Sequence, residues 1–192
     1  GSDHGLCGRF NQEIARFALA RLEARNLDRA ATRFVVAGAR AASRLEAADI
    51  AVERTLLLAG AVEGLEETAR TLLLEIDAAR AADGIARVLV FYNRRSPGAT
   101  ARPQAIQLLP LERRWLAHLE SRPWRSRRLP IFTMDPAQLL KALVRQHLFI
   151  SLFRAGAESA ASEHATRLAA MQAAERNIDE HLDEMNGAYR HR

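Results

Sequence analysis

The feature that most constrains the fold is a long stretch without proline near the end of the chain. The last proline is Pro136, directly after Asp135, and no other proline occurs before Tyr189. An acidic residue followed by proline predicts a helix start, because the acid caps the first turn and proline needs no donor there. A helix of roughly 54 residues would be about 80 Å long. A compact domain built from the rest of the chain would be only about 30 to 40 Å across. The helix is therefore expected to project, unless Gly156 or Gly187 breaks it.

The two halves of this predicted helix differ in pattern. From Leu139 to Phe153 apolar residues occur nearly all round the helix, which predicts that this half is buried against the sheet. Further along, residues recur at seven-residue spacing in two series: Ala161, Leu168, Glu175, Leu182 and Tyr189, and Ala157, His164, Met171, Ile178 and Met185. This spacing is typical of the a and d positions of a coiled coil, with two polar interruptions. No other segment predicts a helix of comparable length, so the partner helix is expected on another chain or upstream.

Residues 1–134 show alternating helix and strand patterns. Apolar runs at 34–38, 55–58 and 87–92 predict strands, and residues 105–111 are expected to pair back after a turn at 96–98. Helical periodicity predicts one helix that Asn11 caps and that ends near residue 25, and another over 62–82 that Gly84 ends. Alternation of this kind favours an α/β fold with a mostly parallel sheet. We expect two domains, residues 1–134 and the long helix of residues 135–192.

No motif in the sequence predicts an independent active site. Cys7 is the one cysteine, and we expect it to be packed in the interior rather than to act as a nucleophile. Gly5 and Gly8 precede a helix and could hold a phosphate, but a tight turn is favoured because no phosphate-loop motif accompanies them. The six histidines do not form zinc-binding pairs. Neither a membrane-spanning apolar stretch nor a secretory leader is visible.

Residues 112–130 carry six arginines and two tryptophans, in a chain of net charge +5. The favoured interpretation is an exposed segment that is solvated or faces an acidic protein. An alternative is a nucleic-acid-binding adaptor, in which Trp115 and Trp124 stack on bases and the arginines contact phosphates. A third hypothesis is a small nucleotide-binding enzyme on the α/β domain.

Three motifs resemble the gamma subunits of rotary F-type ATP synthases. The first is Asp3-x-Gly5-Leu6-Cys7-Gly8 followed by Phe10-Asn11, which is similar to the segment after the family's first strand. The second is Gln107-Leu108-Leu109-Pro110-Leu111. The third resembles the family's C-terminal signature and comprises Ser162, Glu163, Ala165, Arg167, Ala170, Met171, Ala173, Ala174 and Asn177, then Tyr189.

The resemblance implies a Rossmann-like α/β foot domain that binds no nucleotide, cofactor or metal. It implies that the N- and C-terminal helices form an antiparallel coiled coil, which enters a hexamer of alpha and beta subunits. The beta subunits hold the catalytic sites, so this subunit is not an enzyme on its own. The foot sits with the epsilon subunit on the membrane c-ring, at the cytoplasmic face of the bacterial inner membrane. No nucleic-acid partner is implied.

Interface residues follow from the matched motifs. The resemblance places one group near the foot or the bottom of the hexamer: Gly5, Leu6, Cys7, Gly8 and Asn11. It places a second group along the shaft: Ser162, Glu163, Arg167, Leu168, Met171, Asn177, Ile178, Leu182, Met185 and Tyr189.

The sequence departs from the family pattern in two respects. Arg9 stands where most members have a second glycine, and the N-terminal helix and first strand have no counterpart here. We therefore expect an N-terminally truncated member of a divergent, alternative F-type branch.

Overall fold

A computed structural model describes residues 1–58, 62–96, 99–128 and 131–190. The elements, in chain order, are α1 Phe10–Ala24, β1 Val35–Ala37, α2 Ala39–Glu46, β2 Arg54–Leu56, α3 Val62–Asp83, β3 Val88–Ser96, β4 Ala99–Leu109, α4 Arg113–Ser121 and α5 Pro136–Arg190. The predicted turn at 96–98 includes Pro97 and Gly98, which lie outside the described residues. The predicted stop of α3 is confirmed, since Gly84 follows it with a φ of +65°.

The described strands form two pairs. β1 and β2 are parallel, with Val36 opposite Thr55, and α2 makes the crossover between them. β3 and β4 form an antiparallel hairpin, with Phe91 opposite Ala105. A small parallel sheet with flanking helices confirms the predicted α/β class. The hairpin confirms that the chain pairs back after β3.

Two hydrophobic clusters hold the α/β domain together. The larger cluster joins α3, the hairpin and α5, and its buried members are Ala69, Leu73, Leu108, Leu109, Leu148 and Leu152. The smaller cluster joins α1, α2 and the segment between α2 and β2 through Ala15, Leu45 and Ile50, and Val36 of β1 packs against it. An edge-to-face contact between Phe17 and Phe91, with ring centroids 6.2 Å apart, joins α1 to the hairpin.

Helix α5 confirms the long helix expected from the sequence. It runs for 55 residues and passes Gly156 and Gly187 without interruption. Its start is capped as predicted, because the Gln138 backbone N–H donates to the Asp135 carboxylate at 3.0 Å. At 1.5 Å per residue the helix is about 80 Å long, so it extends well beyond the domain that holds its first half.

The prediction that residues 139–153 lie buried against the sheet holds for one face of the helix only. In this stretch only Leu148 and Leu152 are buried, whereas Leu140, Leu143 and Ile150 are more than half exposed. The physical reason is that α3 and the hairpin cover a single face of α5. An apolar pattern all round a helix does not reveal how many faces have a neighbour.

Candidate subunit interface

The loop before α1 makes the tight turn that the glycines predicted. Leu6 and Gly8 have φ angles of +63° and +54°, a region that favours glycine. The backbone N–H of Phe10 donates to the Cys7 carbonyl at 3.2 Å, so the turn leads directly into the helix. Cys7 is buried, as predicted, whereas the Leu6 side chain is exposed.

A buried polar cluster lies under this turn and corrects the role predicted for Asn11. Arg9 is the N-cap residue of α1, without a side-chain cap, and Asn11 lies inside the helix. Its amide oxygen accepts from the Ser2 backbone N–H at 2.9 Å, and its amide N–H donates to the Ser2 hydroxyl at 2.7 Å and to the Cys7 sulfur at 3.5 Å. The turn lets α1 begin before Asn11, so the Asn11 side chain does not cap the helix. It binds the backbone of Ser2 instead.

Asp3 ties the same loop to the parallel sheet. One carboxylate oxygen accepts from the Ala39 backbone N–H at 2.7 Å, and the other accepts from the Leu58 backbone N–H at 2.5 Å. Ala39 begins α2 directly after β1. In nucleotide-binding α/β folds a phosphate occupies this position at a helix N-terminus. Here the chain's own carboxylate fills it, which supports a structural use of the fold.

Replacing Asp3 by alanine is expected to lower the free energy of unfolding by about 2 to 4 kcal/mol, because two backbone donors lose a charged acceptor. Guanidinium unfolding at neutral pH measures this change. Asp28→Ala is the matched control, since its carboxylate accepts from Ala30 in an exposed turn, and we expect it to cost less than about 1 kcal/mol. Equal losses in the two variants would contradict the account of Asp3.

The structure brings the first motif against the middle of α5. A Cβ atom added at Gly8 would lie 3.9 Å from the Thr166 methyl group, so the turn rests on this part of the helix. Ser162 is fully buried one turn earlier. Glu163 and Arg167 form an ion pair with both side chains largely covered. The structure therefore places the end of the first motif within one turn of Ser162, Glu163 and Arg167 along α5.

A second contact on α5 was not predicted. Glu158 accepts from Arg154 at 2.9 Å, and the Arg94 Nε atom lies 3.5 Å from its other oxygen. Burial, followed by the neighbouring Glu158 carboxylate, raises the pKa of the Tyr92 hydroxyl. The cluster joins β3 to α5, residues that are far apart in sequence, so no local pattern could reveal it.

The remaining predicted residues lie on the far half of α5. Six apolar members of the seven-residue pattern are between 48% and 83% exposed: Leu168, Met171, Ile178, Leu182, Met185 and Tyr189. Asn177 is also exposed, and from residue 171 to 190 no described residue is buried. A row of large apolar side chains on a projecting helix marks an interaction surface. We call these six residues the apolar stripe.

In the described ranges no group of three or more His, Cys, Asp or Glu side chains is placed to hold a metal ion. Of the helices described, none is both long and apolar enough to cross a membrane. An α/β domain whose long helix leaves an apolar stripe uncovered belongs to the class of proteins that assemble with other chains.

Comparison with known proteins gives the family. The family model described as ATP synthase matches residues 1–192. The ATP synthase gamma chain of Anaeromyxobacter sp. is 31% identical over 205 residues, covering 98% of this chain and 63% of that protein. The gamma chain of Synechococcus elongatus is 29% identical over 216 residues, covering 97% of this chain and 66% of that protein. The chain therefore belongs to the ATP synthase gamma chain family, and it spans slightly less than two thirds of the length of these relatives.

Solved structures share the fold. A chain from the Tetrahymena thermophila mitochondrial ATP synthase central stalk and c-ring matches with a TM-score of 0.63 and 22% identity, covering 91% of this chain and 73% of that one. A chain from the Euglena gracilis mitochondrial ATP synthase rotor matches with a TM-score of 0.65 and 16% identity, covering 98% of this chain and 69% of that one. The comparisons give no support to a nucleic-acid-binding adaptor.

Proposed function

We propose that this chain is the central-stalk rotor subunit of an F-type ATP synthase or ATPase. In this role it couples rotation of a membrane ring to ATP synthesis or hydrolysis in a hexamer of alpha and beta subunits. The observation that carries the proposal is the 55-residue helix that leaves its domain with the apolar stripe uncovered. Membership of the gamma chain family supports it, as does the fold shared with a rotor chain.

The proposed work of the subunit is mechanical. The foot domain is residues 1–134 and the shaft helix is residues 135–192, and catalysis belongs to the beta subunits. Torque must pass between the foot domain and the shaft helix through the cluster that joins α5 to α3 and the hairpin. The contact between Arg94 of the hairpin and Glu158 of α5 adds a polar connection between the foot and the helix. The carboxylate of Asp3 at the start of α2 supports a foot that binds no nucleotide.

The proposed partners follow from the uncovered apolar stripe and from the family resemblance. The apolar stripe pairs with an antiparallel helix supplied by the N-terminal part of the same subunit, and the paired shaft enters the hexamer. About a third of each curated relative lies outside the match, which is room for such a helix. The foot contacts the epsilon subunit and the c-ring, at the cytoplasmic face of the bacterial inner membrane, where the subunit is peripheral.

The interface residues proposed here fall into two groups. The turn of Gly5 to Gly8, with the buried side chains of Cys7 and Asn11 beneath it, fixes the foot against α5, and only Leu6 of this group presents a large apolar side chain to a partner. Ser162, Glu163 and Arg167 lie where the shaft leaves the foot. Asn177 and the apolar stripe line the shaft.

Co-expression tests the proposal. The full-length subunit is produced with the alpha and beta subunits of the same organism, and the complex is purified through a tag on beta. We expect a stable assembly whose ATPase activity falls to background when this subunit is omitted. A hexamer that forms and turns over ATP equally well without it, while this chain stays unbound, would overturn the rotor function.

A further inference from the structure

A long stretch between the hairpin and the buried part of α5 has no packed core of its own. Between the buried residues Leu109 and Leu148, none of the described residues is buried. The stretch includes all of α4, which has no buried residue. A ring contact between Trp115 and His147, with centroids 4.3 Å apart, holds α4 near α5. We call the described residues of this stretch, 110–128 and 131–147, the basic segment.

The basic segment carries the whole net charge of the protein. It contains eight of the 28 basic residues and three of the 23 acidic residues, a balance of +5 that equals the net charge of the entire chain. The six arginines from Arg113 to Arg128 form no ion pair with any described carboxylate. Elsewhere arginines such as Arg33 and Arg54 are paired. Arg145 of the segment pairs with Asp77, so most of the unpaired positive charge lies on the six arginines between Arg113 and Arg128.

Large apolar side chains are exposed in the same segment. Ile131 is 94% exposed, Trp124 is 61% exposed and Phe132 is 51% exposed. The Trp124 indole N–H donates to the Arg128 carbonyl at 2.7 Å, which holds the ring among the arginines. Further exposed apolar residues in the segment are Leu116, Leu119, Met134, Leu140 and Leu143. Such a concentration of exposed apolar side chains marks a binding surface.

We propose that the basic segment binds the surface of an anionic lipid bilayer. A bilayer interface offers phosphate charges to unpaired arginines, a headgroup layer that favours tryptophan, and an acyl boundary for Ile131 and Phe132. Between α4 and α5 the described residues form no helix or strand, so the arginines and the exposed apolar side chains lie on irregular backbone. A fluid surface accommodates such a segment. The inference rests on the proposed function only in that a rotary complex brings the foot close to a membrane.

Vesicle sedimentation tests the inference. The full-length protein is mixed, at low ionic strength, with sucrose-loaded vesicles of phosphatidylcholine containing a quarter phosphatidylglycerol, or of phosphatidylcholine alone. We expect binding to the anionic vesicles and little to the neutral ones, with release as salt screens the arginines. Inorganic phosphate should release the protein no better than chloride at equal ionic strength. Equal binding to both vesicles, or binding to neither, would overturn the proposal; the latter would favour an acidic protein surface as the partner.

Two charge-matched variants locate the binding surface. The test variant has four substitutions in the basic segment: Arg122→Gln, Arg125→Gln, Arg127→Gln and Arg128→Gln. The control has four at exposed arginines in other helices: Arg16→Gln, Arg44→Gln, Arg80→Gln and Arg176→Gln. Each lowers the net charge from +5 to +1. We expect the test variant to bind anionic vesicles at least about tenfold more weakly, and the control to bind within about twofold of the native protein.

Equal weakening in the two variants would overturn the proposal, because binding would then follow net charge rather than this segment. All eight side chains are exposed, so both variants are expected to fold, which circular dichroism checks. Assembly with alpha and beta subunits is measured separately, without lipid. Lipid binding and the rotor function can therefore fail independently of each other.

Discussion

Replacing Met171 and Ile178 by aspartate in the full-length subunit is expected to abolish assembly of the stalk with the alpha and beta subunits. Both side chains belong to the apolar stripe and lie on one face of α5, seven residues apart. In the proposed function this face is covered by a partner helix, so each substitution buries a carboxylate without a counter-charge. A cost of several kcal/mol for each exceeds what a two-helix shaft can absorb. ATPase activity of the purified complex and recovery of the subunit with tagged beta measure the effect.

The matched control is Ala173→Asp with Arg176→Asp. These positions lie in the same turns of α5 but face away from the seam in the seven-residue pattern, and they add at least as much negative charge. We expect this variant to retain assembly and most of the ATPase activity. Normal assembly of the Met171 and Ile178 double variant would show that the apolar stripe has no partner helix.

Replacing Leu152 by alanine is expected to lower the free energy of unfolding by about 2 to 5 kcal/mol. Leu152 is 5% exposed and lies in the cluster that joins α5 to α3 and the hairpin. Removal of its side chain leaves a cavity where the shaft is anchored in the foot. Since stability of a domain is typically about 5 to 15 kcal/mol, the loss is a large fraction of the total. Guanidinium unfolding followed by circular dichroism measures it.

Ile150→Ala serves as the control for this substitution, because Ile150 lies two residues away on the same helix but is 52% exposed. We expect a loss below about 1 kcal/mol. If the Ile150 variant were as destabilised as the Leu152 variant, α5 would be buried on more than one face. That result would also contradict the placement of the foot cluster.

The sequence predicts those parts of the fold that depend on local patterns. Asp135 and Pro136 signal the start of α5, and the absence of later prolines signals its length, because both act within a few residues along the chain. The apolar strand pattern before Gly38 and the glycine that ends α3 also act within a few residues along the chain. These elements are confirmed in the structure.

Other features depend on partners that are distant in sequence. Helix α2 was not predicted, since it is only eight residues long and its first N–H is bound by Asp3, 36 residues earlier. Asn11 has a residue type that suits a cap, but the turn before it allows α1 to begin sooner. The contact of Arg94 with Glu158 likewise needs the hairpin to meet α5. The sequence shows the apolar stripe. It does not show that α3 and the hairpin cover only one face of α5 over residues 139–153.

Direct observation of rotation tests the rotor function most sharply. The alpha and beta hexamer is fixed to a surface, and a bead is attached to the foot through an Arg44→Cys substitution on the exposed side of α2, while the native Cys7 stays buried. Our account predicts continuous rotation of the bead in one direction when ATP is added, which stops when ATP is removed. Steady ATP hydrolysis with a bead that only fluctuates at random would contradict it.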